Sequence, residues 1–443
     1  MQWLVNLADK FGFSPTTVLV PVLVIILSVI TYLSPSLLGS VFRGILALSP
    51  LWLPVVLLFV FWGMWKTYIR TKFINSQEYV LLEIRLPQEI SKSPKAMETV
   101  LTNFHLGMGE ATFINRWLEG RVRPWFSLEI ASIEGEIHFF IWTRRFLQDI
   151  VEAQIYGQYP NVQITEVEDY TKFVEFNVET MNVWGCDFKL TKEDALPIRT
   201  YVDYGLDKDP KEEYKIDPMA GFFEFLGRMG PGEQLWFQIL IRQNKDKLSE
   251  DKRFKKDAGW GPFGGYVSWK DEAKAMIQKI REESSPQYPG QEFPGFPNPT
   301  FGQKLQLEAI ERSISKPGFD AGIRGIYIAK KENFNASNIP ALTISLKQLN
   351  DDLLNGFAPT GWFTAFSYPW QDYKDRKKNK MKAAIIDAYK RRSWFYPPYE
   401  TPHFVLNTEE LATLYHFPGE AVSAPALRRI PSTTGGAPTN LPT

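Results

Sequence analysis

Seven of the eight basic side chains between residues 376 and 392 form the densest set of groups in this sequence that could do chemistry: Arg376, Lys377, Lys378, Lys380, Lys382, Arg391 and Arg392. Cations so spaced can neutralise the phosphates of a nucleic acid, acidic lipid headgroups or an acidic protein surface. They fall in Lys374–Arg392 (KDRKKNKMKAAIIDAYKRR), where Met381, Ala384, Ile385, Ala388 and Tyr389 recur three and four residues apart and predict a helix with one apolar side. The same run therefore also fits a solvated helix face above an ordinary core stripe. Net charge does not choose between them, because 50 Lys and Arg balance 50 Asp and Glu. Nucleic-acid binding would have to rest on this local patch.

Other chemistry is hard to place. Nucleotide hydrolysis of the P-loop kind needs a glycine-rich loop ending in Gly-Lys-Ser/Thr, and no Gly-Lys pair exists in the chain. The glycine cluster Gly259–Gly265 (GWGPFGG) contains Pro262 and bulky aromatics and reads as a loop. Neither a G-x-S-x-G elbow nor an H-E-x-x-H helix occurs. His105, His138, His403 and His416 are scattered without metal-ligand spacing, so no metal or other cofactor is expected. Asp351 and Asp352 are adjacent and would not share a helix face, and Glu409-Glu410 fits a helix start. The single cysteine, Cys186, excludes an internal disulfide and reads as a small buried residue. No catalytic residue is nominated, and the expectation is a protein that is not an enzyme.

Two apolar stretches come before anything that could position such groups. Thr16–Leu33 is uncharged and long enough to cross a bilayer core, and Leu51–Ile69 is a second span flanked by Trp52, Trp62, Trp65 and Tyr68. Between them Ser36–Leu48 reads as a short interfacial helix, so residues 1–76 are expected to form a transmembrane helical hairpin. Lys66, Arg70 and Lys72 follow the second span, whereas the connection carries only Arg43. The positive-inside rule then puts both termini and the large C-terminal body in the cytoplasm.

The body reads as α+β. Tyr79–Leu86 alternates as a strand, and Pro94–Leu106 is an amphipathic helix with Ser93 as cap. Phe126, Leu128, Ile130 and Ile133, then Ile137, Phe139 and Ile141, mark two half-buried strands turned at Glu134-Gly135. Phe146, Ile150, Val151 and Ile155 switch to helical spacing, and Val162, Ile164 and Val167 return to alternation. Phe139, Ile141, Ile150 and Ile155 are expected inside. The order over residues 77–170 is β-α-β-β-α-β, a ferredoxin-like unit. Strand patterns resume at Phe173–Val183, Gly185–Leu190, Ile198–Tyr204, Glu233–Gln243 and Ala321–Ala329, with helices at Met219–Arg228 and Ser337–Leu354. That predicts a second ferredoxin-like unit in tandem over residues 171–420. Its long insertion, 244–318, carries helices at Lys245–Lys256, Lys270–Glu283 and Gln303–Ser315 and a Pro/Gly/aromatic loop. Thr408 is placed as the cap of a short helix whose apolar side is Leu411, Leu414 and Tyr415, and residues 421–443 read as a flexible Pro/Ser/Thr/Gly-rich tail.

Tyr79–Leu101 (YVLLEIRLPQEISKSPKAMETVL), Phe126–Tyr170 and Phe404–Gly419 (FVLNTEELATLYHFPG), followed by the proline-containing Ala437–Pro442, resemble the membrane-anchored N-terminal region of type IV secretion-like, conjugation-type ATPases of candidate-phyla bacteria. In that family a motor domain with a nucleotide-binding loop usually follows, and here the sequence ends at Thr443. The resemblance implies a non-catalytic component of the bacterial inner membrane, a homo-oligomeric scaffold recruiting an ATPase in trans. Leu411, Leu414 and Tyr415 are the expected docking residues. A membrane-anchored nucleic-acid-binding protein using the basic helix is the alternative.

Overall fold

The computed structural model describes residues 24–25, 28–29, 32, 35–87, 92–110, 112–208, 217–245, 268–285, 295–361, 371–419 and 429–430. It divides into two compact units, one drawn from Met1–Ser76, Ala111–Val122 and Phe363–Met381, the other from Gln77–Glu110, Arg123–Trp362 and Lys382–Thr443.

In the first unit the described residues form helices α1 (Pro35–Ala47), α2 (Ser49–Asn75) and α4 (Phe113–Trp117). The expected span Thr16–Leu33 lies outside the described residues except for Val24, Ile25, Ser28, Val29 and Tyr32, which are helical. Helix α2 has 27 residues, a length of about 40 Å at 1.5 Å per residue. Only Ile69 along it is buried, and Leu58, Phe59 and Met64 are among its exposed side chains. It is long and apolar enough to cross a membrane.

The second unit is an α+β body on a ten-stranded, largely antiparallel sheet. Its strands are β1 (Tyr79–Pro87), β2 (Trp125–Ile133), β3 (Glu136–Arg144), β4 (Gln163–Val167), β5 (Met181–Leu190), β6 (Glu233–Gln243), β7 (Gly318–Lys330), β8 (Phe357–Gly361), β9 (Phe404–Asn407) and β10 (Arg429–Ile430). They run in the order β10-β1-β3-β2-β6-β7-β5-β8, with β4 also on β1 and β9 also on β7. Among the described residues only β10 pairs in parallel, Leu86 opposite Arg429. The β2–β3 connection is a two-residue turn at Glu134 (φ 53°) and Gly135 (φ 94°). Both positive angles match the twist of the flanking strands, so Ile133 sits opposite Glu136.

One sheet face is apolar. Phe126, Leu128 and Ile130 of β2, Ile137, Phe139 and Ile141 of β3, and Leu235, Phe237, Ile239 and Ile241 of β6 join one core. Against it lie α3 (Pro94–Asn103), α5 (Gln148–Gln158), α6 (Ala220–Leu226), α9 (Asn338–Ile344) and α11 (Thr408–Leu414). Helix α3 begins with Ser93 extended and Pro94 preset for the first turn, and buries Met97, Val100 and Leu101. Helix α5 turns Val151 and Ile155 fully inward, while Ile150 is only partly buried beside them. The helix face is therefore centred one residue beyond Ile150.

The hairpin strands at Phe126–Ile133 and Ile137–Ile141 read as half-buried, whereas the central strands of the sheet are buried on both faces: every residue of β7 but the last is inaccessible. A segment far along the chain supplies the second cover. It consists of Lys382–Lys390, the later part of α10 (Arg376–Lys390), with Arg392–Tyr396 behind it. Close approach requires two glycines. A Cβ on Gly322 would lie 2.1 Å from the Trp394 ring, and one on Gly185 would lie 2.6 Å from the Ile385 side chain.

Elsewhere local chemistry displaced the expected pattern. Ile198–Tyr204 is a succession of turns rather than a strand, because the Asp203 carboxylate accepts from the Thr200 N–H and Tyr204 N–H bonds back to Thr200 O. The Ser337–Leu354 helix stops at Ile344, followed by a tight turn at Lys347–Leu349. Phe173–Val183 becomes strand only from Met181. The unforeseen strand β8 carries Pro359 and pairs with β5 on one side only, which is where a sheet tolerates a residue without N–H. Between β6 and β7, helices α7 (Trp269–Glu283) and α8 (Phe301–Ile314) each start with a capping box, Ser268/Asp271 and Thr300/Gln303. The expected Lys245–Lys256 helix and Gly259–Gly265 lie outside the described residues, apart from Lys245.

Candidate functional site

The seven predicted cations have separate fates. Arg376, Lys377, Lys378 and Lys380 are exposed in the first turns of α10, where the Asp372 carboxylate accepts from the Lys377 and Lys378 N–H groups at 2.8 and 2.9 Å. Lys382 is half-buried and donates to Asn182 Oδ1 at 2.6 Å. Arg391 stays outside, paired with Asp387 at 2.8 Å. Arg392 is buried, 2 % exposed, and cannot reach a phosphate in solution.

What Arg392 does instead begins with its backbone. Arg392 N–H bonds to Tyr389 O at 2.9 Å and Ser393 N–H to Ala388 O at 3.0 Å. This is a Schellman closure with Arg392 in the left-handed position, φ 48°, a place usually held by glycine. Holding a long side chain there costs about 1–2 kcal/mol of backbone strain. It directs the guanidinium at the sheet, where Nε lies 3.0 Å from Glu129 Oε1 and Nη2 lies 3.1 Å from Asp169 Oδ1. Glu129, fully buried on β2, also accepts from Ser127 Oγ (2.7 Å), Tyr170 OH (2.9 Å) and Gln238 Nε2 (3.0 Å). Burial opposes the Arg392 charge, but the two carboxylates outweigh it and raise its pKa. Burial also disfavours the Asp169 carboxylate, and Arg392 more than reverses this, holding its pKa below the usual value.

Two further clusters continue the layer across the same face. Arg324, with no exposed surface, pairs with Asp187 at 2.7 Å and lies over the Trp394 ring at 5.0 Å. Asp320 accepts from Arg242 Nε (2.8 Å), Arg123 Nη1 (3.2 Å) and Asn244 Nδ2 (2.6 Å), with His403 at 3.6 Å. Burial would raise the Asp320 pKa, yet Arg242, His403 and Arg123 together hold it far below the usual carboxylate range. Most of these charged side chains are buried, with Asp169 and His403 partly exposed at the margin. A shifted strand would leave one of these charges in the core without its partner.

The expected docking residues Leu411, Leu414 and Tyr415 are also interior, each with no exposed surface. Helix α11 is capped by Asn407 rather than Thr408: the Asn407 side chain accepts from the Glu409 and Glu410 N–H groups, and Glu410 returns a bond to Asn407 N–H at 2.9 Å. Tyr415 OH donates to Phe140 O at 3.2 Å. Phe417 meets the rings of Phe139 and Tyr159 edge-on at 5.4 and 4.9 Å. A partner could use these residues only if the helix left the core.

An open cleft of about 380 Å³ lies beside α3 and α8, lined among others by Lys95, Glu98, Tyr201, Arg312, Lys316 and Glu409. Its charges answer one another: Lys316 Nζ is 2.6 Å from Glu98 and 2.5 Å from Glu409, and Arg312 is 3.2 Å from Glu409. It therefore presents no excess of either sign. Cys186 is buried and burial pushes its thiol pKa up, away from reactivity. Among the described residues no group of three or more His, Cys, Asp or Glu side chains is arranged to hold a metal ion.

The sequence reading missed the ionic layer, although its signal was present. Glu129 interrupts WFSLEIASI, and Arg324 and Asp320 interrupt GFDAGIRGIYIA, at positions facing away from the apolar side. Comparison with curated proteins finds no match. The family model described as a domain of unknown function, DUF8128, matches residues 75–429. That span takes in strands β1 to β9 and the first residue of β10, and with them the ionic layer; the chain belongs to the DUF8128 family.

Proposed function

We propose that the chain is a membrane-anchored, non-catalytic platform of a type IV secretion-like or conjugation-like translocation apparatus, which recruits an ATPase in trans. One observation carries the anchoring: α2 exposes apolar side chains along most of 27 residues, whereas the charges on the sheet's second face are paired with each other. The reading pairs α2 with the sequence Thr16–Leu33 as a hairpin in the bacterial inner membrane. Lys66, Arg70 and Lys72 at the end of α2 support a cytoplasmic body. The identity of the apparatus rests on the resemblance of Tyr79–Leu101, Phe126–Tyr170 and Phe404–Gly419.

Within the body we read two ferredoxin-like units joined edge to edge through β2 and β6. Support comes from the repeated order β4-β1-β3-β2 and β8-β5-β7-β6, in each case the fourth, first, third and second strand of its half. On this reading residues 77–170 are one domain and 171–420 the other, with the insertion at 244–318. The ATPase contact belongs on exposed surface, since Leu411, Leu414 and Tyr415 are interior. A homo-oligomer would use the outer sheet edges.

Extraction of the full chain in mild detergent tests the platform. A P-loop ATPase or secretion component should co-purify, and its absence from repeated preparations would reject the proposal. Four exposed bases, Arg376, Lys377, Lys378 and Lys380, favour the second reading of a nucleic-acid contact. Such binding must weaken steeply as salt rises, and salt-independent binding, or none, would remove it.

A further inference from the structure

We propose that Thr112–Arg121 is a membrane-interface clip, which docks on α2 at the level of the lipid headgroups and inserts Phe113, Ile114 and Leu118 into an anionic phospholipid surface. The proposal rests on α2 spanning the bilayer. It is a separate claim, because nothing in a spanning helix requires a second segment to enter the same layer.

The clip is built rather than loose. Thr112 Oγ1 accepts from Asn115 N–H at 3.2 Å and starts α4. Arg121 N–H closes the segment on Asn115 O at 2.8 Å. The Trp65 indole N–H donates to Trp117 O at 3.0 Å. The Trp117 ring lies 5.5 Å from that of Trp62, with Lys66 Nζ and the Arg70 guanidinium 5.8 and 5.9 Å from its centroid. Gly120, at φ +66°, passes so close that a Cβ there would be 2.5 Å from the Ile69 carbonyl.

With Trp117 turned to α2, the other apolar side chains point outward: Phe113 is 65 % exposed, Ile114 56 % and Leu118 55 %. Three large apolar groups on a fastened helical turn need a cover, and continuity with α2 says which. Trp62, Trp65 and Trp117 share one level, and indoles prefer the headgroup zone. Lys66 and Arg70 sit beside them, and the clip carries Arg116 as well as Arg121, the latter paired with Glu119 at 2.7 Å, so cations exceed anions at this level, where cations meet anionic headgroups. Interfacial helices of this chemistry bury their apolar face about 5–10 Å into the headgroup and acyl boundary.

The test uses the full chain in phosphatidylcholine–phosphatidylglycerol vesicles, with an environment-sensitive fluorophore on Phe113→Cys, Leu118→Cys or, as a mid-helix reference, Val56→Cys. Buried Cys186 stays unlabelled. Lipids brominated near the carbonyl should remove most of the emission at 113 and 118, and lipids brominated near the chain end should do so at 56. Trp117→Ala should abolish the shallow quenching at 113 and leave position 56 unchanged. Emission at 113 and 118 that answers to aqueous iodide and not to bromine overturns the clip, while deep quenching at 56 keeps the span. Shielding of 113 from both quenchers marks a protein contact and also overturns it. Iodide quenching at 56 removes the span itself, a result separate from that at 113.

Discussion

On one side of β2 the chain places Phe126, Leu128 and Ile130, and on the other Ser127, Glu129 and Ala131, all of them buried. Its neighbour β6 repeats the contrast, with Phe237, Ile239 and Ile241 opposed to Gln238 and Arg242. The apolar face is closed by several helices, and the ionic face largely by Lys382–Tyr396, with Asp169, Tyr170 and His403 joining from other segments. Apolar burial favours compaction with little regard to register, because one aliphatic side chain replaces another at modest cost. Paired charges leave no such freedom. A buried ion pair adds little net stability over apolar residues of like volume, yet losing one partner is severe. The two faces therefore differ in what they ask of the chain: the apolar one rewards burial of area, and the ionic one tolerates few arrangements of its partners.

The sharpest way to break that contrast is Arg392→Ala, which leaves Glu129 and Asp169 facing each other without a counter-ion. Destabilisation by roughly 3–5 kcal/mol is expected from chemical unfolding. Combining Glu129→Leu with Arg392→Met should recover much of that loss, and a double variant as unstable as the single one would show that the pair adds stability outright.

A smaller effect, of about 2 kcal/mol, is expected from His416→Gln on the apolar side. His416 Nε2 donates to Asp217 at 3.1 Å. Burial lowers the His416 pKa, but the Asp217 charge and hydrogen bond outweigh it, so the folded value is raised. For Asp217 burial raises the pKa and His416 more than reverses this, so the folded value is depressed. The pair's contribution is therefore complete between the ordinary values 3.8 and 6.5. It is lost on the acid side as pH falls through the folded Asp217 value, and on the alkaline side as pH rises through the folded His416 value. The difference in melting temperature between native and variant chains should be largest inside this window and shrink on both sides. A difference independent of pH would show that His416 acts by packing alone.

The mildest test contrasts neighbours on α5. Val151→Ala should cost about 2 kcal/mol or more as a buried truncation, and Ile150→Ala distinctly less, since part of that side chain remains in water. Equal losses would mean that the helix face is centred on Ile150 after all.

What the sequence determined by itself was local. Alternation located β2, β3 and β4, richness in aromatic and branched residues located β6, a Glu-Gly pair located the β2–β3 turn, and the change from spacing two to spacing three and four located α5, because side-chain direction follows directly from backbone period. The long apolar run of α2 was equally legible. Tertiary structure decided what local period cannot carry. Arg392 reads as one more surface base, and only a partner 263 residues away, Glu129, makes it an interior charge. Leu411, Leu414 and Tyr415 read as an available apolar side, and only the sheet beneath them, with Phe139 and Phe140 at the contact, makes them core. Burial of a face depends on which distant segment covers it. That choice is made by the summed area and charge matching of the whole body rather than by any spacing along the chain.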